Sequence, residues 1–242
     1  MIKSLSPENW QKNQKILVIL AHPDDPEFFC GATLARWTDA GHEVNYLLLT
    51  RGDKGSDDPA VSPLDLIHTR MAEQRMAAEV LGVKEVNFLE YPDGFLIPDQ
   101  DMRKTIIRYI RKTKPDIIVT SDPANYYIRG VHINHPDHRA AGLVTLDAVF
   151  PAAGNRLFFP DLLSEGLEPH FPSEVWITLT NDPTIVLDIT DFWQKRLDAI
   201  LQHKSQIVDP TLLLARMVER RTVDSTVEAP RFEDGFRRLL KR

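Results

Sequence analysis

Four consecutive residues, His22-Pro23-Asp24-Asp25, put an imidazole and two carboxylates into one short stretch of chain. Further along, His132-Ile133-Asn134-His135-Pro136-Asp137-His138 offers three imidazoles and one more carboxylate. Imidazole nitrogen and carboxylate oxygen are ligands for a divalent ion such as zinc, and iron(II) shares the preference. Adjacent carboxylates would repel a phosphate unless a cation lay between them. That argues against a nucleotide-binding turn, which would be glycine-rich, and no Gly-x-Gly-x-x-Gly occurs in the chain. His135 and His138 are three apart and can share one face of a first helical turn. Each cluster alone also has a bland reading, because Asp caps helices and Pro starts them. Two such clusters in matching places favour a shared metal site.

Both clusters need strands to present them. Ile16-Leu-Val-Ile-Leu-Ala21 is apolar without alternation, as in a parallel strand buried on both faces. It stops at His22. A helix is expected over 27–40, with Gly41 at its end, then a strand over 44–50 and a polar loop over 51–63. Further helices are expected over 64–81 and 101–113, and short strands over 86–90 and 117–120. Tyr91-Pro-Asp-Gly94 reads as a turn. The helix begun at Pro136 should run to about Phe150. Strands over 174–179 and 185–189 follow, then a helix over 192–204 and terminal helices over 210–221 and 232–240. The alternation predicts an α/β, Rossmann-like, mostly parallel sheet with helices on both faces, as a single domain over 1–242. Ligands of such sheets bind outside the carboxyl ends of the strands, where both clusters emerge. The Pro- and Phe-rich piece 151–172 reads as an insertion over the site or an oligomer contact. His42, His68, His170 and His203 are expected on the surface or in structural roles, and Phe28, Phe29, Cys30 and Trp37 in the core.

The composition excludes several classes. Of 242 residues, 43% are hydrophobic and 26% charged, so the chain can bury its own core. A single cysteine, Cys30, rules out an internal disulfide and suits a reducing compartment. The stretch from Met1 to Gln14 is polar, with no apolar leader, and no apolar run approaches the ~20 residues of a membrane helix. A cytoplasmic protein without membrane contact is expected. A net charge of −6 gives no electrostatic reason to bind nucleic acid.

Five separate pieces carry a resemblance. Ala21-His-Pro-Asp-Asp-Pro-Glu27, Thr50-Arg-Gly-Asp-Lys-Gly-Ser56, Arg70 with Glu73, Tyr91-Pro-Asp-Gly94 and His135-Pro-Asp-His138 together resemble the PIG-L/LmbE-type zinc-dependent deacetylases over roughly the first 150 residues. His203-Lys-Ser-Gln206 is similar to a late segment of that family. The resemblance implies a hydrolase that removes an N-acyl group, expected to be acetyl, from an amino-sugar conjugate. It implies Zn2+, with Fe2+ as the alternative, held by His22, Asp25 and His138. Asp24 would then be the general base, His135 the group that stabilises the oxyanion or protonates the amine, and Arg70 a substrate contact. The partner is a small N-acetylated sugar or related amide, and a homo-oligomer is left open. Members that use a tyrosine shortly before the second motif find Ile133 and Asn134 there in this chain. Rival readings are a non-haem iron oxygenase built on His22, Asp24 and a distant His, a binding protein without catalysis, and a metal phosphoesterase.

Overall fold

The computed structural model describes residues 10, 12–128 and 130–240. Most of the polar stretch before Lys15, namely residues 1–9 and 11, lies outside them. The first half is built of strand–helix units: β1 (Lys15–Leu20), α1 (Asp25–Asp39), β2 (Glu43–Thr50), α2 (Pro63–Leu81), β3 (Glu85–Tyr91), α3 (Gln100–Thr113) and β4 (Ile117–Ser121). A small hairpin, β5 (Tyr127–Ile128) and β6 (His132–Ile133), leads to α4 (Pro136–Asp147). The second half holds α5 (Asp161–Ser164), β7 (Glu174–Thr178), β8 (Ile185–Asp188), α6 (Trp193–Ile200), α7 (Pro210–Val218) and β9 (Glu233–Leu240).

Seven strands form one sheet in the order β3-β2-β1-β4-β7-β9-β8. β3, β2, β1, β4 and β7 pair in parallel, while β9 runs antiparallel between β7 and β8. The apolar run of β1 explains itself here. Ile16, Val18 and Leu20 enter the core with Trp37, Trp176 and Phe236, and Leu17, Ile19 and Ala21 enter the opposite core with Ile106, Ile110 and Val144. Successive side chains of a strand point to opposite faces, so a strand covered on both sides must be apolar throughout. The chain order reverses between β1 and β4, which is where an open sheet leaves its ligand crevice.

Local chemistry bounds α2 as expected, while the helices expected to run to 204 and 221 end at Ile200 and Val218. Ser62 caps α2 by accepting from the Asp65 N–H at 3.1 Å, and Gly82 follows in the left-handed conformation at φ +76°. α4 ends at Asp147 rather than Phe150 and passes into a wide π-type turn over Ala148–Ala153. Among the described residues no helix is long and apolar enough to cross a membrane.

One element departs from expectation. The stretch 232–240, read above as a terminal helix, is strand β9. Phe232, Asp234 and Phe236 are buried in alternation, the period of a strand. Gly235 would cost a helix interior about 1 kcal/mol, and here it faces Pro183 across a close approach. The buried Asp234 accepts from Arg196 at 2.9 Å and from Thr33 at 2.8 Å. Partners far away in sequence therefore override the helical bias of Arg237-Arg238-Leu239-Leu240.

Candidate metal centre and active site

Every predicted site residue lines one cavity of about 500 Å³: His22, Asp24, Asp25, Arg70, His135 and His138. The cavity opens at the carboxyl ends of β1 and β4. His22–Asp25 is the turn from β1 into α1, and His135–His138 starts α4. All its lining residues fall between positions 22 and 138, so the segment 151–172 does not shape it. That segment packs on the face of the sheet carrying α3 and α4, through Phe158, Phe159, Leu162 and Phe171. The buried Arg111 donates to its carbonyls at Ala153, Asn155 and Phe158.

Asp25 sits between two imidazoles. Its Oδ2 lies 3.4 Å from His22 Nδ1, and its Oδ1 lies 3.1 Å from His138 Nε2. The far nitrogen of each ring is held by oxygen. His22 Nε2 lies 3.1 Å from Asp93 Oδ1 and 3.2 Å from Asp137 Oδ2, and carboxylates only accept, so Nε2 carries the proton. His138 Nδ1 lies 2.9 Å from Asn134 Oδ1, and the Asn134 amide is oriented because its Nδ2 donates to the Asn125 carbonyl at 2.7 Å. This leaves His22 Nδ1 and His138 Nε2 as the nitrogens that face Asp25. Metal-binding histidines have this arrangement, with an outer acceptor fixing the tautomer.

A second set also offers itself, since His22, His135 and His138 each hold a ring nitrogen within 4.8 Å of the others. The hydrogen bonding of His135 bears on this set. His135 caps α4 by accepting the Asp137 N–H at its Nδ1, 3.1 Å away. Its proton is then on Nε2, which makes that nitrogen a donor and leaves it no lone pair for a metal. His132 is exposed in β6 and does not line the cavity.

The charges favour a cation. Burial works to lower the His22 pKa, but the charge of Asp25 and hydrogen bonds to Asp137, Asp25 and Asp93 hold it well above its usual value. Burial works to raise Asp25, and His138 and His22 hold it far below the usual carboxylate range. Asp93 is held down at about 2 against its burial, chiefly by the His22 hydrogen bond. Burial lowers His135, with His22 and His138 adding to the effect. Asp24 goes the other way: burial pushes it up to about 6, against the Arg70 cation.

Asp24 occupies the N-cap position of α1 but its side chain caps nothing. Its carboxylate faces Arg70 Nη2 at 3.1 Å. Its φ of +93° is rare for any residue but glycine, and such strain costs on the order of 1–3 kcal/mol. Arg70, 4% exposed, also donates to the Pro23 carbonyl at 2.6 Å and the Gly52 carbonyl at 3.2 Å. A Cβ on Gly52 or Gly55 would collide with its guanidinium, which explains both glycines of the loop.

Several functional residues were not singled out in sequence. Asp93 falls in the Tyr91–Gly94 turn and Asp137 in the second cluster, and both hold His22. Asp137 also accepts the Gly94 and Leu96 N–H groups at 2.7 and 3.2 Å, tying the Tyr91–Gly94 turn to the second motif. The signal was available: Asp93 follows β3, on the same sheet edge. Phe28 and Phe29 pack against the core as expected but also wall the cavity, with the Phe29 ring 5.0 Å from that of His138. His203 is buried against Glu27, His42 accepts the Gln14 N–H, His170 bonds the Pro115 carbonyl and His68 is exposed.

A model of the PIG-L family, described as GlcNAc-PI de-N-acetylase, matches residues 17–149. The chain belongs to the PIG-L family. It is similar to a diacetylchitobiose deacetylase of Thermococcus kodakarensis, with 38% identity over 80% of this chain and 70% of that one. It is also similar to a 1D-myo-inositol 2-acetamido-2-deoxy-alpha-D-glucopyranoside deacetylase of Kineococcus radiotolerans, 32% identical over 62% of this chain; the match spans 48% of that protein. Among solved structures, the N,N'-diacetylchitobiose deacetylase from Pyrococcus horikoshii superposes with a TM-score of 0.87 at 30% identity, over 97% of this chain and 86% of that one. The family and these relatives bear out the expectation of a hydrolytic N-deacetylase.

Proposed function

We propose that this PIG-L family N-deacetylase hydrolyses the acetamide of a small amino-sugar compound, with zinc held by His22 Nδ1, Asp25 and His138 Nε2. The observation that supports this most is the pair of imidazoles aimed at Asp25, each with its other nitrogen tied to an oxygen acceptor. Three protein ligands of this kind are the usual set of a catalytic zinc site, which keeps a further position open. A divalent ion there supplies Lewis acidity, which makes water a competent nucleophile near neutral pH.

The remaining steps fall to the chain's own side chains. Asp24 takes a proton from the attacking water, and a carboxyl pushed to about 6 is well matched to that task. His135 lines the cavity, and with Nδ1 accepting the Asp137 N–H its Nε2–H is the donor left for the oxygen that becomes negative in the tetrahedral intermediate. The proton that Asp24 has taken from the water can then pass to the departing amine. Phe28 and Phe29 form the apolar part of the wall, and a cavity of about 500 Å³ has room for a sugar-sized ligand. Arg70 holds Asp24 and the Gly52–Gly55 loop in addition to its place in the wall. The single buried thiol, Cys30, suits a reducing compartment and supports a cytoplasmic enzyme.

The test is release of amine and acetate in equal amounts from N-acetylglucosamine or its β-linked disaccharide. The activity should vanish after chelation and return with zinc. Activity that survives complete removal of metal would overturn the proposal.

A second expected result concerns pH. Asp24 works only when ionised, so kcat/KM should fall as pH drops through about 6. Arg70 lowers that pKa, so Arg70→Met should move the acid limb to higher pH, whereas Arg70→Lys, which keeps the charge, should leave it closer to its place. An acid limb that stays fixed in Arg70→Met would mean that another group sets it.

A further inference from the structure

Behind Asp24 lies a buried chain of polar groups that the steps above do not use. The Asp24 backbone N–H donates to Gln74 Oε1 at 2.7 Å. Gln74 is fully buried, and its Nε2 donates to both carboxylate oxygens of Glu27, at 3.0 and 3.1 Å. Glu27 is fully buried too, with His203 Nε2 3.2 Å from its Oε2. The Tyr46 hydroxyl reaches Glu27 Oε1 at 3.5 Å.

The direction of this chain is forced. A carboxylate accepts and cannot donate, so Gln74 must turn its NH2 group to Glu27. Its carbonyl oxygen then faces the Asp24 N–H. That bond holds a residue whose φ of +93° the backbone alone would not favour. His203 closes the chain from the far half of the molecule, outside the residues 17–149 that match the family model. Its neighbours brace the same region: Ser205 bonds Glu73 through N–H and hydroxyl at 2.8 and 2.6 Å, and Gln206 Nε2 donates to the Gly55 carbonyl at 3.1 Å.

We propose that Gln74 is a positioning residue for Asp24, and that Glu27, held by His203, sets which way its amide faces. The inference rests on Asp24 being the base.

The test reads kcat, KM and metal content in four variants of the whole protein. In Glu27→Gln, the Gln74 amide is free to turn its NH2 group against the Asp24 N–H. In Gln74→Glu, two carboxylates face each other. Each single change should lower kcat about 10–100-fold, as a misplaced reacting group does, with KM and metal content unchanged. The double variant, Glu27→Gln with Gln74→Glu, restores the order of donors and acceptors. The new amide donates to the new carboxylate, which again accepts the Asp24 N–H, while the amide oxygen accepts from His203. It should recover most of the lost kcat, which a merely structural role would not predict. Gln74→Met removes the acceptor without adding charge and should reproduce the loss if Gln74→Glu does not fold. Wild-type kcat in Gln74→Met and Glu27→Gln, or a double variant no better than the worse single one, would overturn the proposal. Asp24→Asn in the same assay separates the two readings. Full turnover there removes the base assignment, whereas an inert Asp24→Asn beside fully active Gln74 variants removes only this inference.

Discussion

Asp24→Asn should retain its metal and lose about 10²–10⁴ of its turnover, the range that a positioned general base contributes. The change is nearly isosteric. The amide oxygen can still accept from Arg70, and the backbone N–H keeps its bond to Gln74 Oε1. What it cannot do is accept a proton from water. Its neighbour Asp25 is the carboxylate that faces His22 and His138, so the metal should not notice the change. Elemental analysis beside a deacetylation assay checks both halves. Metal lost together with activity would mean that the two carboxylates have been given each other's roles.

The second large effect is expected at His138. His138→Ala should leave a folded protein with far less than one zinc per chain and no measurable deacetylation. His138 makes a cleaner test than His22. Its Nδ1 has one acceptor, Asn134 Oδ1. His22 Nε2 lies between the buried carboxylates of Asp93 and Asp137. His22→Ala should also lose the ion, but it takes one donor from two buried carboxylates, which keep only backbone N–H partners. It should therefore cost stability as well, about 1 kcal/mol for each hydrogen bond lost. A His138→Ala protein that still binds zinc stoichiometrically would move the ligand set toward His135.

Much of this was legible in the chain because it is local. Strand–helix alternation, the non-alternating run of β1 and the Ser62 and Gly82 boundaries of α2 depend on neighbours a few residues apart. The His-Pro-Asp-Asp and His-Pro-Asp-His clusters were legible for the same reason, and the parallel order of β1 and β4 brings their strand ends together. What stayed hidden depends on distant partners. β9 has helix-forming side chains at its end, and only β7 and β8, with Arg196 and Thr33 at Asp234, make it a strand. Asp93 and Asp137 declare themselves only through the ring nitrogen they share. His203 was rightly read as structural, but Glu27, its buried partner, lies 176 residues away. The bland reading of Asp24 as a helix cap failed on one geometric fact, a carboxylate turned from α1 toward Arg70.

The place of β9 also bears on how the protein is made. Among the described residues β8 pairs only with β9, which fills the gap between it and β7. A growing chain can therefore assemble β1 to β4, with both motif clusters, long before the far side of the sheet exists. Until residue 240 leaves the ribosome, β7 presents an open edge of unpaired amides and carbonyls, the kind of surface on which nascent chains stick to one another. The hydrolytic half forms early and the half that braces it waits, so translation pauses or truncation before residue 233 should yield aggregates rather than a smaller enzyme.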